Sequence, residues 1–270
     1  MILLKDDCND KYKAVLANKP SGLGVTSNNL RKLLHSLDFV GWSSREDSGR
    51  LDRRALTRFA AGSKNIFSRR EAVEAETSAI SILIDCSGSM NDLYKDGGKK
   101  ISRIDTAQAV AIHLSKVLQQ ARVPFAVAGF KGSLPAILGN GTVVETPHLI
   151  DFKPWGVSSQ RATTALGCIN QCAGSCTPDY SAIAVQLEDL HRRPEGRKIL
   201  FLLTDAQGYV KDHLIHLQTL ADKLGIVIIA IGIATDEVTK VFVNATCVRD
   251  VSQLAEKSFN ALLTTVRKKL

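Results

Sequence analysis

A chain of 270 residues with 44% hydrophobic and 23% charged residues can bury one large core, and a main domain of about 200 residues plus an extension is the expected organisation. The net charge of +8 allows acidic partners. The basic residues are nevertheless scattered through LDRRALTR, HRRPEGRK and VRKKL with no aromatic-rich stripe, so nucleic acid is not the expected partner.

Chain order begins with MILLKDDCND, which lacks the pattern of a signal peptide. KPSGLGVTSNN reads as a loop, NLRKLLHSLDFV as a short helix, and LDRRALTRFAAG as a second one closed by Gly62. Residues 1–77 are expected to be an N-terminal, mostly helical extension packed on a main domain of residues 78–270.

From residue 78 the pattern becomes regular. Strands are expected at ISILI (80–84), PFAVAGF (124–130), TVVETPHLIDF (142–152), KILFLLT (198–204) and GIVIIAIGI (225–233), with a short one near 246–251. Helical spacing covers 103–121, about 160–172, 179–191, 211–224 and 252–268. Several strands are apolar on nearly every residue, as parallel strands covered on both faces require. The alternation predicts an α/β fold, a doubly wound and mostly parallel sheet. The longest apolar stretch, IVIIAIGIA at 226–234, is too short to cross a bilayer.

In such sheets ligands bind beyond the carboxyl ends of the strands, where strand order reverses. ISILIDCSGSMND places Asp85, Ser87 and Ser89 at alternate positions just past a strand, with Gly88 expected to let the backbone turn tightly. One carboxylate and two hydroxyls form a donor set for a hard cation. Few protein oxygens plus waters suit octahedral Mg²⁺, with ligands at about 2.1 Å, better than a many-ligand Ca²⁺ cage. GSCTPDYSAI adds Thr177 in a turn before a helix, and FLLTDAQG adds Asp205 at a strand end. The alternative reading is that Asp85 caps a helix while the two serines satisfy backbone donors.

DCSGSM, the Thr of SCTPDYSAI and the Asp of LLTDAQ resemble the three loops of the metal-ion-dependent adhesion site of von Willebrand factor A domains, over about residues 78–268. That resemblance implies a Rossmann-like A-domain fold. It implies direct metal ligation by Ser87 and Ser89, ligation by Thr177 directly or through water, and water-holding or direct roles for Asp85 and Asp205. It further implies Mg²⁺ as the cofactor, with Mn²⁺ and Ca²⁺ as alternatives, and one coordination position left for a partner's carboxylate. Residues 49–90, GRLDRRALTRFAAGSKNIFSRREAVEAETSAISILIDCSGSM, resemble the junction before the A domain of the cobaltochelatase T subunit. This implies a partner among AAA+ ATPases of the MoxR class, in a chelatase-like or remodelling complex. NDLYKDGGKKISRID is a longer loop than that family carries, and the long acidic region of such subunits is missing.

Other signals are weaker. Cys168, Cys172 and Cys176 lie in a CxxxCxxxC spacing without the tight pairs of structural zinc sites, so core or turn thiols are expected. The six cysteines, at 8, 86, 168, 172, 176 and 247, form no secreted framework and point to a reduced, cytoplasmic protein. Cys86 reads as a packing residue. His213 and His216 share a helix face without a third ligand, and His113 and His148 read as packed histidines. No GxxxxGK[ST], dinucleotide fingerprint or GxSxG occurs, so no catalytic residue is expected. The expected function is a non-enzymatic, metal-dependent protein-interaction module. Its alternatives are a Mg²⁺-dependent hydrolase built on Asp85 and Asp205, or a nucleic-acid-associated A domain.

Overall fold

The computed structural model describes residues 7–18, 39–46, 48–52, 62, 65–72, 78–96, 98–132, 136–137, 143–144 and 147–249. The chain forms two compact units, one of residues 1–30 with 77–270 and one of residues 31–76. The first element, helix α1 (Asp7–Ala17), belongs to the larger unit and buries Cys8 and Tyr12. The smaller unit holds an antiparallel sheet of β1 (Phe39–Glu46), β2 (Arg50–Leu51) and β3 (Phe67–Ala72), in the order β1-β3-β2.

Helices were expected at NLRKLLHSLDFV and LDRRALTRFAAG. Phe39, Val40 and Leu51 are instead in strands, in keeping with the preference of aromatic and β-branched residues such as Phe39, Val40 and Trp42 for the extended chain. Most other residues of those two segments lie outside the described ones.

In the larger unit, β4 (Ser78–Asp85) is followed by a hairpin, β5 (Leu93–Asp96) and β6 (Lys99–Ser102), and then by helix α2 (Arg103–Ala121). Next come β7 (Phe125–Gly132), the short pair β8 (Ala136–Ile137) and β9 (Val143–Val144), and β10 (Pro147–Lys153). Helices α3 (Thr163–Gly167) and α4 (Asp179–His191) precede β11 (Arg197–Thr204). The described part closes with α5 (Lys211–Lys223), β12 (Ile226–Ile233), α6 (Val238–Val241) and β13 (Ala245–Val248).

Six strands form one sheet in the order β10-β7-β4-β11-β12-β13, parallel except for β10, which runs antiparallel to β7 at the edge. The doubly wound α/β expectation therefore holds, and strand order reverses between β4 and β11. Two expected elements are corrected. TVVETPHLIDF is not one strand: Val143 and Val144 pair with β8, and β10 starts at Pro147, whose missing N–H suits the first position of an edge strand. The helix expected at 160–172 stops at Gly167 and continues as a 3-10 turn, Ile169–Gln171. The helix expected at 252–268 lies outside the described residues.

Every residue of β4 and of β12 is buried. Ala79 and Leu83 of β4 pack with Leu200 and Leu202 of β11 against Ile183 and Leu187 of α4 and Leu214 and Leu217 of α5. Ile80, Ile82 and Ile84 point to the opposite face by the two-residue alternation of a strand. The buried polar Ser81 lies on the α4 face and is satisfied by Gln186, its Oγ donating to Oε1 at 2.8 Å. Helix α2 begins where Ser102 accepts a hydrogen bond from Asp105 N at 3.2 Å, and it ends at the left-handed Arg122.

The expectation of six reduced thiols is corrected at one pair. Cys8 of α1 and Cys168 form a disulfide with their Cα atoms 5.1 Å apart. Their separation of 160 positions left no spacing pattern to read. Gly167 beside them must lack a side chain, because a Cβ there would come within 1.8 Å of Cys8 O. Cys86, Cys172, Cys176 and Cys247 are free. Among the described residues, no helix is long and apolar enough to cross a membrane.

Candidate metal centre

Asp85 ends β4 and Thr204 ends β11, and the two strands are paired up to Leu203 and Ile84. One residue beyond that register, Thr204 Oγ1 donates to Asp85 Oδ2 at 2.8 Å. The other carboxylate oxygen, Oδ1, accepts from Ser87 N at 2.9 Å. Asp85 is thus fixed through both oxygens, and Ser87 is set on the same side of the loop. Ser87 Oγ and Ser89 Oγ stand 3.0 Å apart. Neighbouring ligands of an octahedral cation bound at about 2.1 Å lie about 3 Å from each other, so the pair has the spacing that such a cation requires.

Asp205 is fully buried, its Oδ1 accepting from Gln207 N at 3.1 Å. Its neighbour Ala206 is left-handed at φ 55° and donates its N–H to Thr204 Oγ1 at 2.9 Å. A non-glycine residue held there is a strained position that the surrounding bonds must impose.

The third loop is anchored by backbone. Gly88 N donates to Ser175 O at 2.9 Å, Gly174 N to Cys86 O at 2.8 Å, and Gly132 N to Cys176 O at 2.7 Å. These bonds thread residues 174–176 between the DCSGS loop and the end of β7, and half-buried Thr177 follows immediately. Close approach depends on Gly132, where a Cβ would meet the Cys176 Cβ at 2.8 Å. Gly88 plays a different part from the one expected. It sits in a 3-10 turn, Gly88–Asn91, without a left-handed φ, and contributes its N–H rather than unusual freedom.

Burial is the main reason that the Asp85 carboxyl is pushed up to about 6, against the hydrogen bonds from Ser87 and Thr204 that favour its charged form. Burial also drives the Tyr209 hydroxyl well above its usual value, with the charges of Asp85, Asp179 and Asp205 adding to it. The pocket of negative charge is therefore wider than the motif. Arg103 answers it: Nη1 lies 2.9 Å from Asp205 Oδ2, and it reaches Ser89 O at 3.4 Å and Asp92 Oδ2 at 3.5 Å. A guanidinium here supplies the positive charge that a metal would bring. Ser87, Ser89 and the two carboxylates are the groups here whose oxygen chemistry would suit a hard divalent cation, and Thr177 follows the anchored loop as a half-buried residue.

Sequence reasoning missed Arg103, Asp179 and Tyr209 as parts of this surround. Arg103 is the first residue of α2, directly after the capping Ser102, and a cation at a helix N-terminus is the one signal that could have marked it.

The remaining candidates lie elsewhere. Among the described residues no group of three or more His, Cys, Asp or Glu side chains is arranged to hold a metal. Cys172 is buried, its Sγ donating to Cys168 O at 3.7 Å. Cys86 is a packed thiol whose ionisation burial suppresses. His216 Nδ1 meets Tyr180 OH at 2.9 Å, and His213 packs edge-on against the same ring. His113 is buried as expected, whereas His148 is exposed on edge strand β10, which corrects its reading as packed.

The doubly wound, mostly parallel sheet is that of a Rossmann-like von Willebrand factor A domain. More particularly, the family described as the cobalamin biosynthesis protein CobT VWA domain matches residues 66–266, and the chain belongs to that family. Among solved structures, the chain is similar to the PilB minor pilin from Streptococcus sanguinis, at 16% identity and a TM-score of 0.50, over 77% of this chain and 66% of that one. It is also similar to the pilus adhesin SpaC from Lactobacillus rhamnosus GG, at 13% identity and a TM-score of 0.51, over 73% of this chain and 31% of that one. A von Willebrand factor type A structure from Catenulispora acidiphila shares 17% identity at a TM-score of 0.41, over 70% and 42% of the two chains. At these identities the likeness to the two pilus proteins shows the fold alone. No curated protein matches the chain.

Proposed function

We propose that this protein is a metal-dependent protein-interaction module whose divalent cation, Mg²⁺ by its donor set, forms a bridge to an acidic residue of a partner. The observation that carries this reading is the pair of serine hydroxyls 3.0 Å apart, beside two buried carboxylates at adjacent strand ends. Hydroxyls contribute no formal charge. A cation held by them, with carboxylates acting through waters, keeps a positive field toward an open position. An incoming Asp or Glu then gains a charge-assisted contact that a neutral group cannot match.

The chain's own part is to hold the ligands still. Thr204 and Ser87 N fix Asp85, and the three backbone bonds around residues 174–176 present Thr177. Family membership and the junction at residues 49–90 support a partner among MoxR-class AAA+ ATPases, with this chain as a non-catalytic subunit of a chelatase-like or remodelling complex. The test is capture from a lysate of the native host on the immobilised full chain, in Mg²⁺ and in EDTA. An AAA+ ATPase retained in Mg²⁺ and released by EDTA is the expected result. Retention that ignores both EDTA and Ser87→Ala would overturn the bridge.

A further inference from the structure

We infer that Arg103 is an internal counter-cation that competes with the divalent ion for Asp205, so that metal binding releases it and loosens the β5–β6 hairpin. This rests on the metal-site reading above and adds a residue that sets the affinity of the site.

Asp205 has 0% exposure and Arg103 has 17%, so the pair is largely withdrawn from water. A buried carboxylate needs a compensating charge, and Arg103 is the cation bonded to it. It is held loosely for such a role. Only the 2.9 Å bond to Asp205 is short; those to Ser89 O and Asp92 are 3.4 and 3.5 Å, and Nε is buried without a hydrogen-bond partner among the described residues. A guanidinium so bound is one-sided and can be displaced.

A divalent ion near Ser87, Ser89 and Asp205 would face this like charge within the same small space. The two cations cannot both neutralise Asp205 at full strength, so each weakens the other. Displacement has a defined consequence. Arg103 N donates to Asp92 O at 3.2 Å, and its side chain adds the ties to Asp92 and Ser89 that close the base of the hairpin Leu93–Ser102. Tyr94 anchors the other side, bonding Thr106 Oγ1 at 2.6 Å and Arg249 O at 2.9 Å. The hairpin lies in NDLYKDGGKKISRID. It also exposes Leu93, so its looseness changes the surface that borders the cation. By linkage, whatever metal does to Arg103, the Arg103 contact does equally to metal affinity.

The experiment uses the full chain with Mn²⁺ as probe, free Mn²⁺ being counted by electron paramagnetic resonance. Arg103→Gln should bind Mn²⁺ about tenfold tighter than wild type, within the usual range of coupling between two ligands. Arg103→Lys, which keeps the charge, should stay near wild type, and Ser87→Ala should lose binding. Hydrogen exchange on the wild-type protein needs no variant: saturating Mn²⁺ should speed exchange across Leu93–Ser102. Equal or weaker binding by Arg103→Gln, or exchange at the hairpin that is unchanged or slowed by Mn²⁺, overturns the competition while the metal site stands. Absence of Mn²⁺ binding by both wild type and Arg103→Gln overturns the site and this inference together.

Discussion

Thr204 Oγ1 donates to Asp85 Oδ2 across two adjacent strand ends, so the hydroxyl of one site loop orients the carboxylate of another. The same Thr204 oxygen accepts from Ala206 N and thereby ties the left-handed turn after Asp205 to Asp85. Thr204→Val keeps the shape and removes both bonds. Loss of a donor to a buried carboxylate costs about 1–3 kcal/mol. Thr204→Val should therefore lower stability in urea unfolding by that order, and Thr204→Ser should recover most of it. Equal stability of the two variants would show that the bond does not matter.

Ser87→Ala should abolish Mn²⁺ binding with little change in melting temperature, because Ser87 lies on a loop and its backbone N–H still reaches Asp85. Calorimetric titration and a circular-dichroism melt measure the two quantities. A large drop in melting temperature would mean that the serine is structural.

The Cys8–Cys168 bond closes a loop across 160 positions. By chain entropy a loop of that size contributes about 5 kcal/mol. Cys8→Ser should lower guanidinium stability accordingly, and a reductant should do the same to the wild type. Alkylation after unfolding without reductant should label Cys86, Cys172, Cys176 and Cys247 only. Gly167→Ala should also destabilise, since its Cβ would collide with Cys8 O. Six labelled cysteines would refute the pairing.

His113 is buried in α2, and burial lowers its pKa from 6.5 to about 4. Between those values the folded protein binds fewer protons than the unfolded chain, so this stability is full above pH 6.5 and is lost as pH falls toward 4. Asp85 has the opposite sign: its pKa is raised from 3.8 to about 6, so with metal chelated the folded state gains stability as pH falls through that window. The two slopes oppose each other. In EDTA, His113→Leu should become more stable to urea between pH 6.5 and 4.5 relative to wild type. A parallel pH profile for the two proteins would remove His113 from the account.

Much of the sheet was legible in the residues alone, because a strand buried on both faces must be apolar throughout and a helix repeats every 3.6 residues. ISILI, KILFLLT and GIVIIAIGI became β4, β11 and β12, and the helices over 103–121 and 179–191 kept their bounds. Asp85, Ser87 and Ser89 were visible for the same reason: oxygen side chains at alternate positions interrupt an apolar run, and local sequence is all that a tight loop needs. What depended on the tertiary structure joins residues far apart in the chain. Arg103 reaches Asp205 because α2 starts beside the end of β11, and Cys8 meets Cys168 because α1 packs where Gly167 leaves room. No periodicity encodes such pairs. Each is set by which surfaces the crossovers bring together, and a buried charge or an unpaired thiol finds its partner only after that packing exists.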